Sequence, residues 1–390
     1  MSEVISLRSI TSKIGSGATP KGGNTVYENS GIAFIRSQNV LDMSFSNQNL
    51  AYITNEQANK LNNVIVENND ILLNITGDSI ARCTIVPDEL LPARVNQHVS
   101  IIRCISPDYA NYVCYYLQFL KPYLLQICKV GGTRNALTKE AIENLPIVIQ
   151  KEYKKIGKLL STIDQKIALN NQINEELEAM AKTLYDYWFV QFDFPDENGK
   201  PYKSSGGKMV YNDQLKREIP EGWGVENLSN FLTIKNGKDH KDLSDGNYPV
   251  YGSGGLMRKV EDYIFEGESV LIPRKGTLNN IIYVDEKFWT VDTMFYTHMK
   301  IDYVALYTYF SIKDIDFTKL NTGTGVPSMT ASILYQLQII NPNADVLKNF
   351  DELVRTTYRM IFDNRKQNQE LTQLRDWLLP MLMNGQVKVE

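Results

Sequence analysis

Histidine is scarce in this chain, and the arrangements that metal and nucleophile chemistry need are missing with it. The three histidines among 390 residues, His98, His240 and His298, lie far apart in sequence, which argues against a zinc site. The four cysteines, Cys83, Cys104, Cys114 and Cys128, all fall in the first half with no close Cys–Cys or Cys–His pair. A disulfide framework would leave matching cysteines in the second half, so free buried thiols in a reducing cytoplasm are expected. The opening MSEVISLRSITSK has no apolar signal core, and no apolar run is long enough to span a bilayer, so no membrane is expected as a partner. There is no phosphate loop, because Gly237-Lys238 and Lys275-Gly276-Thr277 lack its spacing. There is no G-x-S-x-G elbow, no H-E-x-x-H helix, and no Asn/Asp-Pro-Pro-aromatic sequence of the kind that holds a target amine for methylation. A positive balance is missing too: the net charge of −4 counts against simple coating of nucleic acid. Local basic loops, or partners that supply the phosphate contacts, stay compatible with it.

What the chain does contain is one long helix, twice. In the stretch from Ile156 to Trp188, the residues Ile156, Leu159, Ile163, Lys166, Asn170, Ile173, Leu177, Met180, Leu184 and Tyr187 follow one another at alternating steps of three and four, a heptad seam. The same spacing returns as Phe350, Leu353, Thr357, Met360, Asn364, Gln367, Leu371, Leu374, Leu378 and Met381. Asn174 to Leu177 matches Asn368 to Leu371, and Asn170 falls on Asn364. Antiparallel pairing fits best, with Asn170, Leu177, Leu184, Asn364, Leu371 and Leu378 as helix-pairing residues. The two asparagines either fix register as polar seam positions or sit at a solvated end. The repeat reaches upstream, where Gly132 to Thr138 resembles Gly323 to Thr330 and Leu145-Pro146-Ile147 faces Leu337-Gln338-Ile339. Further back, Asn96 to Val99 loosely parallels Asp292 to Phe295. Two such units are too few and too large for a solenoid and predict an internal pseudo-two-fold repeat.

Short β-branched runs, such as 32–35, 70–75, 81–86 and 98–105 in the first half and 269–272, 280–284 and 293–301 in the second, predict β-rich domains ahead of each helix. The expected fold is α+β, two β-rich α/β domains joined by two long antiparallel helices acting as a coiled-coil spacer. The expected boundaries are 1–150 for the first domain and 151–190 for the first spacer helix. A connecting loop follows at 191–220, then the second domain at 221–343 and the second spacer helix at 344–390.

End to end, the chain resembles the specificity subunit of a type I restriction–modification system. The likeness rests on Leu7 to Gly17, Arg94 to Val99, Leu145-Pro146-Ile147, Ile163 to Ile167, Tyr187-Trp188-Phe189, Pro220 to Trp223 and Gly276 to Asn279, in this order with the duplication. The resemblance implies a cytoplasmic prokaryotic protein with two target-recognition domains, each reading one half of a split, asymmetric site in double-stranded DNA. It implies no catalysis and no cofactor on this chain. Two methyltransferase subunits would bring S-adenosylmethionine, and restriction/translocase subunits would bring ATP and Mg2+.

A direct reader needs Arg, Lys, Asn or Gln on loops that reach base edges. In the first domain such residues are Lys13, Thr19, Lys21, Asn24, Arg36, Gln38, Asn39, Asn74, Thr76, Arg94, Asn96, Gln97, Arg134 and Asn135. In the second they are Lys235, Asn236, Lys238, His240, Lys241, Tyr251, Ser253, Arg258, Arg274, Lys275, Thr277, Asn279 and Thr324. Loop Asn and Gly also serve turns, and surface Lys is often only solvated; His98 reads better as a packed strand residue than as a reader. The rival function is a non-catalytic scaffold that binds protein or carbohydrate.

Overall fold

β-Branched runs punctuated by Gly, Asn and Asp turns fold into sheets here, and the two periodic stretches fold into long helices. In the computed structural model, residues 3–128, 136–321, 323 and 325–389 are described. Arg134, Asn135 and Thr324 lie outside them. The chain divides into two units, Met1–Asn171 with Arg365–Glu390, and Gln172–Asn364.

The first unit contains strands β1 (Glu3–Ser6), β2 (Thr11–Ser16), β3 (Ile32–Ile35), β4 (Ala51–Ile53), β5 (Ile65–Val66), β6 (Ile71–Asn74), β7 (Cys83–Ile85), β8 (Ala93–Val95), β9 (Val99–Cys104) and β10 (Pro146–Ile149). They form a sheet β2-β9-β6-β7, a second sheet β4-β3-β8-β5, and the antiparallel pair β1-β10. Helices α1 (Asn55–Lys60), α2 (Pro107–Phe119), α3 (Lys121–Ile127) and α4 (Lys139–Glu143) pack around these sheets. The long helix α5 (Tyr153–Tyr185) follows.

The second unit repeats this order. Its strands are β11 (Met209–Asn212), β12 (Arg217–Pro220), β13 (Gly224–Asn227), β14 (Leu232–Asn236), β15 (Asp245–Gly252), β16 (Gly255–Val260), β17 (Phe265–Pro273), β18 (Ile282–Thr290), β19 (Met294–Met299) and β20 (Gln338–Asn341). One six-stranded sheet runs β14-β19-β17-β18-β15-β16, and β13 pairs with β20 as β1 does with β10. Helices α6 (Leu228–Phe231), α7 (Ala305–Lys313) and α8 (Ala331–Tyr335) precede the second long helix, α9 (Ala344–Met383). The stretch expected as a plain connecting loop contains the β11–β12 hairpin. Phe192, Phe194 and Trp223 flank this hairpin, and they join the core of the second unit.

Backbone chemistry explains why the upstream turn recurs in both halves. Thr138 and Thr330 are N-caps, each side-chain oxygen accepting from the third helical N–H, that of Ala141 and Ile333 respectively. Leu137 and Met329 before them are buried. The Leu7 N–H donates to the Leu145 carbonyl at 2.9 Å and the Leu228 N–H to that of Leu337 at 2.7 Å. Tyr112 of α2 and Tyr307 of α7, both fully buried, donate their hydroxyls to the carbonyls of Val148 and Ile340.

The long helices pair antiparallel within each unit. In the first, Arg375 reaches Asp164 at 2.7 Å, and the Asn170 amide donates to Gln367 at 2.7 Å and to Asn368 at 2.8 Å. In the second, Asn364 donates to Asn174 at 2.9 Å. The seam itself differs from the expected one. Its inward residues on α5 are Ile156, Leu160, Ile163, Ile167, Asn170, Asn174, Leu177, Ala181 and Leu184. The four-residue step therefore comes first, and Lys166, Met180 and Tyr187 point out. On α9, Leu347, Phe350, Val354, Tyr358 and Ile361 are buried, whereas Leu353, Met360 and Leu374 are exposed. Hydropathy favoured Met180 over Ala181 and Ile173 over Asn174. Close helix approach favours the small residue and the amide that can bond across. Leu160, Trp188 and Leu379 are buried as well.

Candidate functional site

At one end of each unit the same strand ends and turns converge. The chain leaves β2 through Gly17, whose N–H donates to the Val99 carbonyl at 2.9 Å, while that of Ala18 donates to Val95 at 3.1 Å. The chain leaves β14 through Gly237, whose N–H donates to Met294 at 3.0 Å, while that of Lys238 donates to Thr290 at 2.9 Å. A Cβ on either glycine would lie 2.1 Å from a carbonyl oxygen, of Val95 or Val291, so only glycine allows this crossing. The turns between β8 and β9 and between β18 and β19 accept from the residues just past β6 and β17: Ile75 N–H to the His98 carbonyl at 2.9 Å, and Arg274 N–H to that of Thr293 at 2.8 Å. Thr76 then bridges Ala136 as Lys275 bridges Ser328. Gly77 and Gly276 follow, both at positive φ. A third loop leaves β3 at Ile35 and β15 near Tyr251, held by Asn96 N–H to Ile35 and Val291 N–H to Tyr251, each 3.0 Å.

This ladder sets Ala18 against Lys238, Thr76 against Lys275, Gln97 against Asp292, and His98 against Thr293. It moves the parallel drawn from sequence by one residue, since Val99 faces Asn74 as Met294 faces Pro273. Side-chain likeness between Asn96 and Asp292 misled where backbone bonding decides.

Around these loops in the first unit lies an open cleft of about 690 Å³, lined by Ser37, Gln38, Thr76, Gly77, Asp78, Ser79, Arg82 and His98. Gln38, Gln97, Lys21 and Asn24 are exposed, and Thr19 is half-buried with its hydroxyl donating to Gln97. In the second unit Lys235, Asn236, Lys238, Lys241, Lys275 and Thr277 are exposed, and Arg274 is half-buried over the Phe295 ring. His240 is half-buried beside Asp239, with its backbone N–H donating to that carboxylate.

Several expected readers instead spend polar groups on the protein itself, some of them buried. Arg94 is 6% exposed, with its guanidinium on the carbonyls of Ala58 and Ala93 and on Asn62 Oδ1. Burial lowers its pKa. It lies in a three-residue strand paired on both sides, so its side chain goes into the domain and not out of a loop end. Asn74 is fully buried and donates to the carbonyls of Ser37 and Val40. Asn39 is also buried, with its amide on Ser46 and Gln48, and Asn96 is buried with Oδ1 accepting from the His98 N–H. Lys13 donates to the Ile65 carbonyl at 3.3 Å, its pKa lowered first by burial and then by Arg103. Arg36 donates to the Asn49 carbonyl and stacks over Tyr27. Arg258 holds the carbonyls of His240 and Leu243, Tyr251 donates to Glu286, and Asn279 uses both amide ends on Asp316 and Phe317. Ser253 uses its carbonyl to accept from Asn280 at 3.0 Å. Ser253 thus contributes its backbone, and the other side chains build the loops. Sequence reasoning missed Asp78, Ser79 and Arg82 on the cleft wall; the shared glycine at 77 and 276 was the signal that marks their loop.

Among the described residues there is no group of three or more His, Cys, Asp or Glu side chains placed to hold a metal ion. No described helix is long and apolar enough to cross a membrane.

Comparison with known proteins agrees with this doubled architecture. The family model of the type I restriction modification DNA specificity domain matches residues 2–179 and 220–360. The chain belongs to that family. It is 27% identical to the type I restriction enzyme MjaIX specificity subunit of Methanocaldococcus jannaschii over 63% of this chain and 61% of that one. The match thus spans less than two thirds of that relative's length. The HindI specificity subunit of Haemophilus influenzae is 24% identical over 66% of this chain and 72% of that one. The MjaVIII specificity subunit of M. jannaschii is 23% identical over 84% and 81%. In fold, the chain is similar to the crystal structure of a type I restriction–modification system S subunit from M. genitalium, with a TM-score of 0.62 at 15% identity, covering 97% of this chain and 95% of that one.

Proposed function

We propose that this chain is the DNA-reading subunit of a type I restriction–modification complex, non-catalytic itself, each unit reading one half of a split, asymmetric target. The observation that carries this reading is the doubled loop end. One backbone scaffold occurs twice, carrying Thr76, Gln97 and His98 in one unit and Lys275, Asp292 and Thr293 at the same places in the other. An equal scaffold with unequal side chains suits two half-sites of different sequence. Exposed or half-buried donors and acceptors on its loops (Thr19, Lys21, Gln38, Thr76, Gln97; Lys238, Lys241, Arg274, Lys275, Thr277) are of the types that read base edges and hold phosphates.

The paired long helices act in this proposal as the spacer that fixes the gap between half-sites. Their outward apolar side chains, Leu169, Met180, Leu353, Met360, Leu374 and Trp377, are 44–66% exposed and suit docking of two methyltransferase subunits. Those subunits would carry S-adenosylmethionine, and the restriction subunits ATP and Mg2+, in the cytoplasm of a prokaryote.

Methylome sequencing of a host carrying this chain with modification subunits, against one lacking the chain, tests the proposal. A split asymmetric N6-methyladenine motif that depends on the chain is expected, and exchanging one unit's loops should alter one half only. An unchanged methylome beside active modification subunits would favour a protein- or carbohydrate-binding scaffold instead.

A further inference from the structure

His98 was expected to be a packed strand residue, yet it stands in a continuous polar chain on the reading end of the first unit. Thr76 Oγ1 lies 2.6 Å from His98 Nδ1, and Gln97 Nε2 lies 3.2 Å from His98 Nε2. Gln97 Oε1 accepts from the Thr19 hydroxyl. The chemistry of these groups gives the chain one direction. An amide nitrogen only donates, so the ring nitrogen facing it must be the unprotonated one. The hydrogen of the neutral imidazole is then on Nδ1 and is donated to Thr76. The sense is Thr19 to Gln97, Gln97 to His98, His98 to Thr76.

Gln97 is exposed, and each end of its amide has one group left over. Nε2 keeps a second N–H and Oε1 a second lone pair. An adenine edge in the major groove, with its N6 donor and N7 acceptor, is the complement of that pair. The amide can rotate half a turn only if the imidazole changes tautomer and both threonine hydroxyls reverse with it. An unsupported glutamine would present either order, or neither, at the cost of its own rotamer entropy.

We propose that His98 is a positioning residue for base reading in the first unit: through its ring it holds the Gln97 amide in one donor–acceptor order, so that Gln97 reads a single A·T base pair. This rests on the DNA-reading role proposed above. The second unit has no counterpart of the device, because the aligned positions are Asp292 and Thr293.

The test compares methylomes of hosts expressing the full chain with its modification subunits, as wild type, Gln97→Ala, His98→Leu and His98→Gln. Gln97→Ala and His98→Leu should both relax the same single A·T position in one half-site. Methylation at sites carrying another pair there should rise roughly tenfold. His98→Gln can still offer an acceptor to the Gln97 amide and should keep that position specified. A uniform fall in methylation at all cognate sites, with no position relaxed, would reduce His98 to a structural role and overturn the proposal. Relaxation in Gln97→Ala but not in His98→Leu would overturn it too. Should His98→Leu fail to fold, an unrelaxed motif in the surface variant Gln97→Ala would overturn it alone. Absence of any split motif in the wild type would instead remove the DNA-reading role itself.

Discussion

The two units perform one mechanical task with charges of different origin. Each ties its sheet-and-helix layer to the long helices by a tyrosine, a carboxylate and an arginine. In the first unit Tyr115 of α2 donates to Asp164 Oδ2 at 2.6 Å, Arg375 donates to Oδ1 at 2.7 Å, and the carboxylate belongs to α5. In the second unit Tyr283 donates to Glu268 Oε1 at 2.6 Å and Arg355 to Oε2 at 2.8 Å, but the carboxylate belongs to β17. Each arginine also grips a second acid, but Asp351 beside Arg355 is 1% exposed whereas Asp376 beside Arg375 is 61% exposed, so only the second cluster buries its extra carboxylate. The repeat therefore survives where backbone geometry demands it, at the caps, the glycine crossings and the strand ladder. Side chains that can reach one charge arrangement from several positions have diverged.

The scaffold shared by the units can be broken first. Gly17→Val and Gly237→Val each drive a side chain into backbone carbonyls that cannot recede, and each should cost roughly 3 kcal/mol or more. Thermal unfolding of the two variants checks this, and a loss well below 1 kcal/mol in either would show that the crossings are not equivalent.

Next in size is the charge cluster. Arg355→Ala leaves Asp351 buried without its cation, a cost of about 3 kcal/mol, whereas Arg375→Ala leaves the partly exposed Asp164 and should cost less. Denaturant unfolding of both variants gives the difference, and equal losses would refute the asymmetry. The pH dependence sharpens it. Burial already holds the Asp351 carboxyl above its ordinary value, with Arg355 pulling it back. Without the arginine the shift should grow. A carboxyl whose folded pKa lies above its unfolded one binds more protons when folded, so stability rises as pH falls through that range. Arg355→Ala should thus recover part of its loss when the melt is repeated at acidic pH, and Arg375→Ala should recover less.

Smaller again is Asn170→Ala, which removes the bonds to Gln367 and Asn368 across the seam and should cost about 1–2 kcal/mol. The smallest pair is Thr138→Ala and Thr330→Ala, each removing one N-cap bond worth about 1 kcal/mol. Equal losses from the two threonines, read from their melting temperatures, would confirm the caps as the most faithfully repeated feature.

Legibility followed the same division. The long helices and the repeated turn were readable because 3.6-residue periodicity and capping chemistry are local. The seam's phase was not, because Ala181 and Asn174 earn their inward places only when a second helix lies against them. Arg94, Asn74 and Asn96 resembled readers by residue type, yet a strand alternates faces and short strands leave too little pattern to say which face is outward. Gln97 and Thr76, picked out by type and position, do lie at the loop ends. His98 was not, since its role depends on three side chains from different loops.

By itself, then, the sequence determined that there would be two helix-ended α+β units and where their turns would stop, both properties of local pattern. Only the tertiary structure decided which side chains line the loop ends, which sink into the core, and which partners fix a proton's place, because these depend on strand register and long-range hydrogen bonds that no local window of sequence encodes.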